Sequence, residues 1–230
     1  MEISTIFAKN SMRHTKHIKT FRLFCLMLGM PAIATQLPAQ GVDFRILDRL
    51  QEQRTPAMNH VMSWTSNSLV LAPSIPIGLS VAGWAADNRD MLHAGCVTGL
   101  SFATAFALTE GLKWTVQRPR PYIAWPDELH PVRTTFGYSF PSGHTSLTFA
   151  TATSLCLCYP KWYVIGPSVI WAAGVGFSRL YLGVHYPSDV LAGALIGTAS
   201  AVLVYNLSKN WWQDSPQPVT AFAIPIVISF

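Results

Sequence analysis

The chain has 230 residues, 50% hydrophobic and only 12% charged, about half the charged share of roughly 25% found in soluble domains. This points to the membrane class, and no polar linker divides the chain after Gln40, so one folded domain is expected. The formal charge of +5 does not describe a nucleic-acid face. Lys9, Arg13, Lys16, Lys19 and Arg22 against Glu2 supply most of it in the leader, and the remainder is nearly neutral.

In chain order, residues 1–40 read as a signal peptide or N-terminal anchor. A basic start is followed by an apolar run from Leu23 to Ala34, with small residues at Ala32, Ala34 and Ala39 where cleavage fits. The run is short against the roughly 20 residues of a spanning helix, which favours cleavage. Residues 41–68 form a lead-in in which charges alternate with Ile46, Leu47, Leu50, Met58 and Val61. An amphipathic helix on the membrane surface suits this pattern, and so does a plain packed helix.

Five apolar segments follow, near 69–86, 91–112, 144–159, 163–177 and 189–207, the third and fourth close to the lower limit for spanning. Pro73, Pro76 and Pro167 are tolerable in membrane helices, where neighbours satisfy the freed carbonyls. Ala192, Gly193, Ala194, Gly197, Ala199 and Ala201 suit close helix packing. The expected fold is therefore all-α, a membrane-embedded helical bundle of about five core helices over 69–207 plus the N-terminal leader or anchor. A tail at 208–230 carries no assigned role. Cys25, Cys96, Cys156 and Cys158 sit in apolar stretches and match no zinc or thioredoxin spacing.

A cytoplasmic leader puts residue 41 outside, and the five segments then alternate. Arg89, Lys161 and Lys209 fall inside, as positive-inside sorting prefers. Lys113, Arg118, Arg120, Arg133 and Arg179 fall outside, against that rule, and charges misplaced at membrane depth point to function. The reading is a bacterial inner-membrane protein whose active site faces the periplasm.

Both outer loops carry groups suited to phosphate. The first offers Lys113, Arg118 and Arg120, stiffened by Pro119 and Pro121, and closes with Pro141-Ser142-Gly143-His144 at a helix start. The second offers Arg179, then His185 and Asp189. Lys113, Arg120 and Arg179 supply cations for phosphate oxygens. Ser142 and Gly143 stand where helix-start amides form an anion site. Asp189, four residues after His185, can fix one imidazole nitrogen so that the other attacks phosphorus. His144 can protonate the leaving oxygen and later activate water. No acidic cluster is present for magnesium, so no metal or other cofactor is expected. Arg118 and Arg133 either rim the pocket or are solvated. Tyr122, Trp125, Phe136, Tyr138 and Phe140 fill the first loop, as a headgroup-level lip or as packing under a lid.

Lys113-x6-Arg120-Pro121, Pro141-Ser142-Gly143-His144 and Ser178-Arg179-x5-His185-x3-Asp189 together resemble the tripartite signature of the type 2 phosphatidic acid phosphatase superfamily. The resemblance covers roughly residues 69–207. It implies a helical bundle and a metal-free phosphohistidine mechanism. His185 would be nucleophile, Asp189 its orienting partner and His144 the general acid. Lys113, Arg120, Ser142, Gly143, His144 and Arg179 would hold phosphate. Integral members have six spanning helices, so the leader leaves the helix count open. The implied substrate is a membrane lipid phosphate or pyrophosphate of the isoprenoid pyrophosphate, phosphatidylglycerol phosphate, phosphatidic acid or lipid A type. No nucleic-acid partner is implied, and oligomeric state is left open. Two other readings share the motifs: a vanadium-dependent haloperoxidase-like enzyme, and a non-catalytic protein that binds or transports lipid phosphates.

Overall fold

The structure is a computed structural model that describes residues 39–213, with side chains over 41–209. Residues 1–38 of the proposed leader and 214–230 of the tail lie outside the described residues. Within them every regular element is helical.

The lead-in forms two helices, α1 (Ala39–Glu52) and α2 (Pro56–Asn67). The break falls where Thr55 caps α2, its side chain accepting from the Met58 amide at 3.3 Å, and Pro56 occupies the first turn. Helix α1 is packed: Leu47 is buried with Leu129 and Tyr186, flanked by Phe44, Trp125 and Leu180. Helix α2 runs through a short 3-10 turn, Ser68–Val70, into α3 (Leu71–Ala85). The two helices run on as one candidate span, Pro56–Ala85, whose helical course begins well before residue 69.

Helix α4 (Arg89–Val116) is capped by the Asn88 side chain and ends where Gln117 turns left-handed at φ 50°. One turn, α5 (Pro121–Ala124), follows it. The outer loop then folds back on itself, the Ser139 amide donating to the Arg118 carbonyl at 2.8 Å. Helices α6 (Gly143–Cys158), α7 (Trp162–Tyr181) and α8 (Pro187–Gln213) complete the chain, α8 running past the boundary at 208 that the sequence suggests.

Three stretches are long and apolar enough to cross a membrane: Pro56–Ala85, Arg89–Ala124 and Pro187–Lys209. Helix α6 has only 16 residues and lies at the centre, packed by α4, α7 and α8. It buries Thr145, Ser146, Thr148, Thr151 and Ser154. Most of these hydroxyls bond within the bundle: Thr148 donates to the His144 carbonyl, Thr151 to that of Leu147, and Ser146 accepts from Thr109. A helix wrapped by protein meets no lipid, so it does not need the apolar surface of an outer span. Outward-facing aromatic side chains mark both ends of the bundle. Trp64 and Trp114 are exposed towards the outer loops, and Trp84, Trp162 and Tyr163 towards the opposite end. Such rings favour the two membrane interfaces.

The contact between α6 and α8 sets the spacing of the outer loops, because each helix begins with part of the candidate site. It depends on absent side chains. A Cβ at Gly193 would stand 2.6 Å from the Ser142 carbonyl oxygen, and one at Gly197 would stand 2.2 Å from that of Ser146 and 2.8 Å from the Ala150 amide. Backbone cannot yield as a flexible side chain can. Gly197→Ala is expected to destabilise the bundle by about 1–3 kcal/mol through overpacking. Thermal unfolding in detergent should show a lowered midpoint, and an unchanged midpoint would contradict this packing.

Candidate active site

Asp189, in the first turn of α8, is completely buried. Its Oδ1 accepts from Arg118 at 2.7 Å, and its Oδ2 accepts from the Ser139 hydroxyl at 2.5 Å and the Tyr186 amide at 3.0 Å. The same Oδ2 lies 3.4 Å from His185 Nδ1, close enough for a charge interaction but without a well-formed hydrogen bond to that buried nitrogen. Its backbone carbonyl accepts from the Ser142 amide at 3.0 Å, which fixes the start of α6 against the start of α8.

The opposite edge of the His185 ring faces Arg120, whose guanidinium stands 3.3 Å from Nε2. A cationic donor there favours the neutral tautomer with hydrogen on Nδ1 and the lone pair on Nε2. Burial pushes the imidazole down to about 4; the Asp189 carboxylate opposes this, and the Arg179 and Arg120 charges add to it. At neutral pH this favours an unprotonated ring.

Arg120 does more than the sequence suggests. Only 2% exposed, it donates to the carbonyls of Gly137, Val184 and Phe136 at 2.8–2.9 Å. It therefore ties the outer loop to the His185 loop as well as presenting charge to the ring. Arg179, near the end of α7, donates to the Ser66 hydroxyl at 2.5 Å, while its buried Nε has no protein partner. An unpaired buried guanidinium nitrogen is costly and marks a place for an acceptor such as a phosphate oxygen.

Lys113 pairs with Glu110 at 2.8 Å and keeps 19% of its side chain exposed. Its Nζ lies 3.4 Å from where a Gly143 Cβ would stand, so glycine leaves the ammonium beside the start of α6. Ser142 is buried, and its hydroxyl accepts from Thr145 at 2.9 Å instead of capping the helix. The amides that open α6 are thereby left for an outside acceptor. His144 is half-buried in that first turn, within electrostatic reach of Arg179, His185, Arg133 and Lys113. The structure thus brings His144, His185, Asp189, Lys113, Arg120, Ser142, Gly143 and Arg179 to one end of the bundle.

The partners of several groups at the site were not evident from sequence. Arg118, expected on the rim or in solvent, bridges Asp189 and Asp43 and lies 3.7 Å from the Tyr186 ring centroid. Arg133 joins Arg179 through Ser66, which accepts from both guanidinium groups. Neither Asp43 nor Ser66 gave a signal, since each stands among other polar residues in the distant lead-in. The first-loop aromatics divide, Trp125 packing on Phe44 and Tyr186 while Phe136 is wholly exposed.

The sequence profile of the PAP2 superfamily matches residues 94–213. Undecaprenyl-diphosphatase of Sulfolobus acidocaldarius is 39% identical over 106 residues, covering 45% of this chain and 50% of that protein. Lipid A 4'-phosphatase of Bacteroides thetaiotaomicron is 40% identical over 87 residues, covering 36% and 38%. These alignments span half or less of the curated relatives' length. Among solved structures, a transmembrane PAP2-type phosphatidylglycerolphosphate phosphatase from Bacillus subtilis aligns with TM-score 0.65 and 28% identity. That alignment covers 84% of this chain and 96% of the other.

The depressed His185 basicity has a consequence for stability. The unfolded chain accepts a proton near the ordinary value of 6.5 that the folded chain refuses until about 4. The stabilising contribution is complete above the unfolded value and is lost as pH falls between the two. From about pH 7 to about pH 5, the unfolding midpoint of the wild type should drop relative to that of His185→Ala. A pH-independent difference between the two proteins would contradict the assignment.

Proposed function

The chain belongs to the PAP2 superfamily, and on that premise we propose that it removes phosphate from a membrane lipid phosphate or pyrophosphate without a metal. The observation that carries this reading is the buried His185, held between Asp189 and Arg120 and within electrostatic reach of Arg179, whose Nε is unpaired. A protein that merely bound anions would need the cations, but not an imidazole kept neutral and oriented.

The reaction has two steps. Burial and the neighbouring cations lower the proton affinity of His144 in the empty site, and the negative charge of a bound phosphate opposes them, so that His144 enters the step as imidazolium. His185 Nε2 attacks phosphorus, forming an N–P bond as the bond to the leaving oxygen breaks, and His144 gives its proton to that oxygen. Water then attacks the phosphohistidine, His144 takes a proton from it, and inorganic phosphate leaves. Arg179, Lys113 and the amides at the start of α6 hold the oxygens as charge moves through the in-line transition state. Asp189 keeps the ring oriented and balances the positive charge it gains. Both buried carboxylates of the site, Asp189 and Asp43, are bonded to Arg118, which supports a metal-free route in which cations and amides neutralise the phosphate.

The exposed apolar helices and interfacial aromatics support a lipid substrate presented at headgroup depth. Named relatives act on an isoprenoid diphosphate and on lipid A, and the leaving group is read only as a lipid of this general kind. The site is proposed to face the periplasm across a bacterial inner membrane, with Arg89, Lys161 and Lys209 on the cytoplasmic side.

Full-length protein in right-side-out membrane vesicles tests the reading. Supplied with lipid phosphates in the presence of chelator, the wild type should release phosphate into the external medium. His185→Ala should retain inorganic phosphate binding but lose activity by about 10³-fold or more. A strict requirement for divalent metal, full activity in His185→Ala, or release only after the vesicles are opened would contradict the corresponding part of the proposal.

A further inference from the structure

Helix α1 precedes the bundle and contributes none of the groups that touch phosphate, yet one of its carboxylates reaches the rear of the site. Asp43 is 3% exposed. Its Oδ2 accepts from Arg118 at 2.9 Å and from the Ser188 hydroxyl at 2.5 Å, and its Oδ1 accepts from the Ser188 amide at 3.1 Å. Arg118 uses its other terminal nitrogen to reach Asp189 Oδ1 and Ser188, both at 2.7 Å. The result is a line of alternating charge, Asp43–Arg118–Asp189, ending at the imidazole.

We propose that Asp43 is a positioning residue that neutralises Arg118 so that Asp189 presents a net negative charge to His185. With Arg118 opposed by Asp189 alone, the two charges would cancel behind the ring. The ring already faces Arg120 and lies within reach of Arg179, and it gains positive charge as Nε2 bonds to phosphorus. Adding Asp43 leaves the buried triad one unit negative, which counters that gain. Asp43 stands behind Asp189, away from the cations that grip substrate. Its charge therefore favours the transition state and the phosphohistidine over the bound ground state, and it belongs in kcat.

The inference rests on the phosphatase reading, and steady-state kinetics of the full chain on a lipid phosphate keep the two separable. Asp43→Asn should lower kcat about tenfold or more while KM and the inhibition constant of inorganic phosphate stay level or fall. Asp43→Glu, which retains the charge, should recover most of that loss. Adding Arg118→Gln to Asp43→Asn should raise kcat above that of the single variant, because the unbalanced cation is gone; a purely structural clamp would make the double variant worse. Arg45→Ala, exposed on the same helix, should match the wild type.

Unaltered kcat in Asp43→Asn, or kcat and KM worsening together, overturns the proposal while the wild type remains a phosphatase. A wild type that releases no phosphate overturns both. Should Asp43→Asn fail to fold, the double variant decides: it carries the wild-type net charge behind the ring, so kcat far below the wild-type value contradicts charge balance.

Discussion

A carboxylate withdrawn entirely from water is tolerable only when every acceptor site is engaged, and Asp189 meets that condition by drawing on the whole outer face. Arg118 comes from the start of the first loop, Ser139 from its end and the Tyr186 amide from the second loop, while the Asp189 backbone carbonyl holds the Ser142 amide. Loss of any one of these would leave a buried polar group unpaired, so the loops and helix starts are specified together. The orientation of His185 follows from this arrangement.

The bundle has a related division of labour. The peripheral helices are apolar, whereas α6 has no fully exposed residue and carries a column of hydroxyls, most of them bonded inside the bundle. Glycines on α8 let its backbone approach that of α6 closely, which sets the two helix starts side by side. On the proposed reading, a polar central helix beneath the site offers little apolar surface to an acyl chain, which would lie along the exposed faces with only the headgroup entering.

Much of this was legible in the sequence because motif residues sit at helix ends, where apolar patterning stops abruptly. The segments near 91–112, 144–159 and 163–177 lie within about two to four residues of α4, α6 and α7 at each end. His144, His185, Asp189, Lys113 and Arg179 all arrive at one end of the bundle. What the sequence obscured was partnership. Asp43 and Ser66 lie more than sixty residues from the groups they bind, and nothing in their local pattern distinguishes them from solvated residues of an amphipathic helix. Arg118 and Arg120 look alike in the run Arg118-Pro119-Arg120-Pro121, and only packing shows that one serves the carboxylate while the other braces the loops. The start of the first span was also hidden, because α2 is only weakly apolar and joins α3 without a turn signal.

The central claim is that His185 bonds to phosphorus. Rapid quenching of the enzyme with a lipid substrate labelled on phosphorus, followed by proteolysis under alkaline conditions and mass spectrometry, reads this directly. The account predicts an acid-labile phosphoryl group on His185, accumulating when His144 is replaced by alanine and a lipid with a good leaving group is used. A label on another residue, or turnover of the wild type with no trapped phosphoenzyme under those conditions, would contradict it.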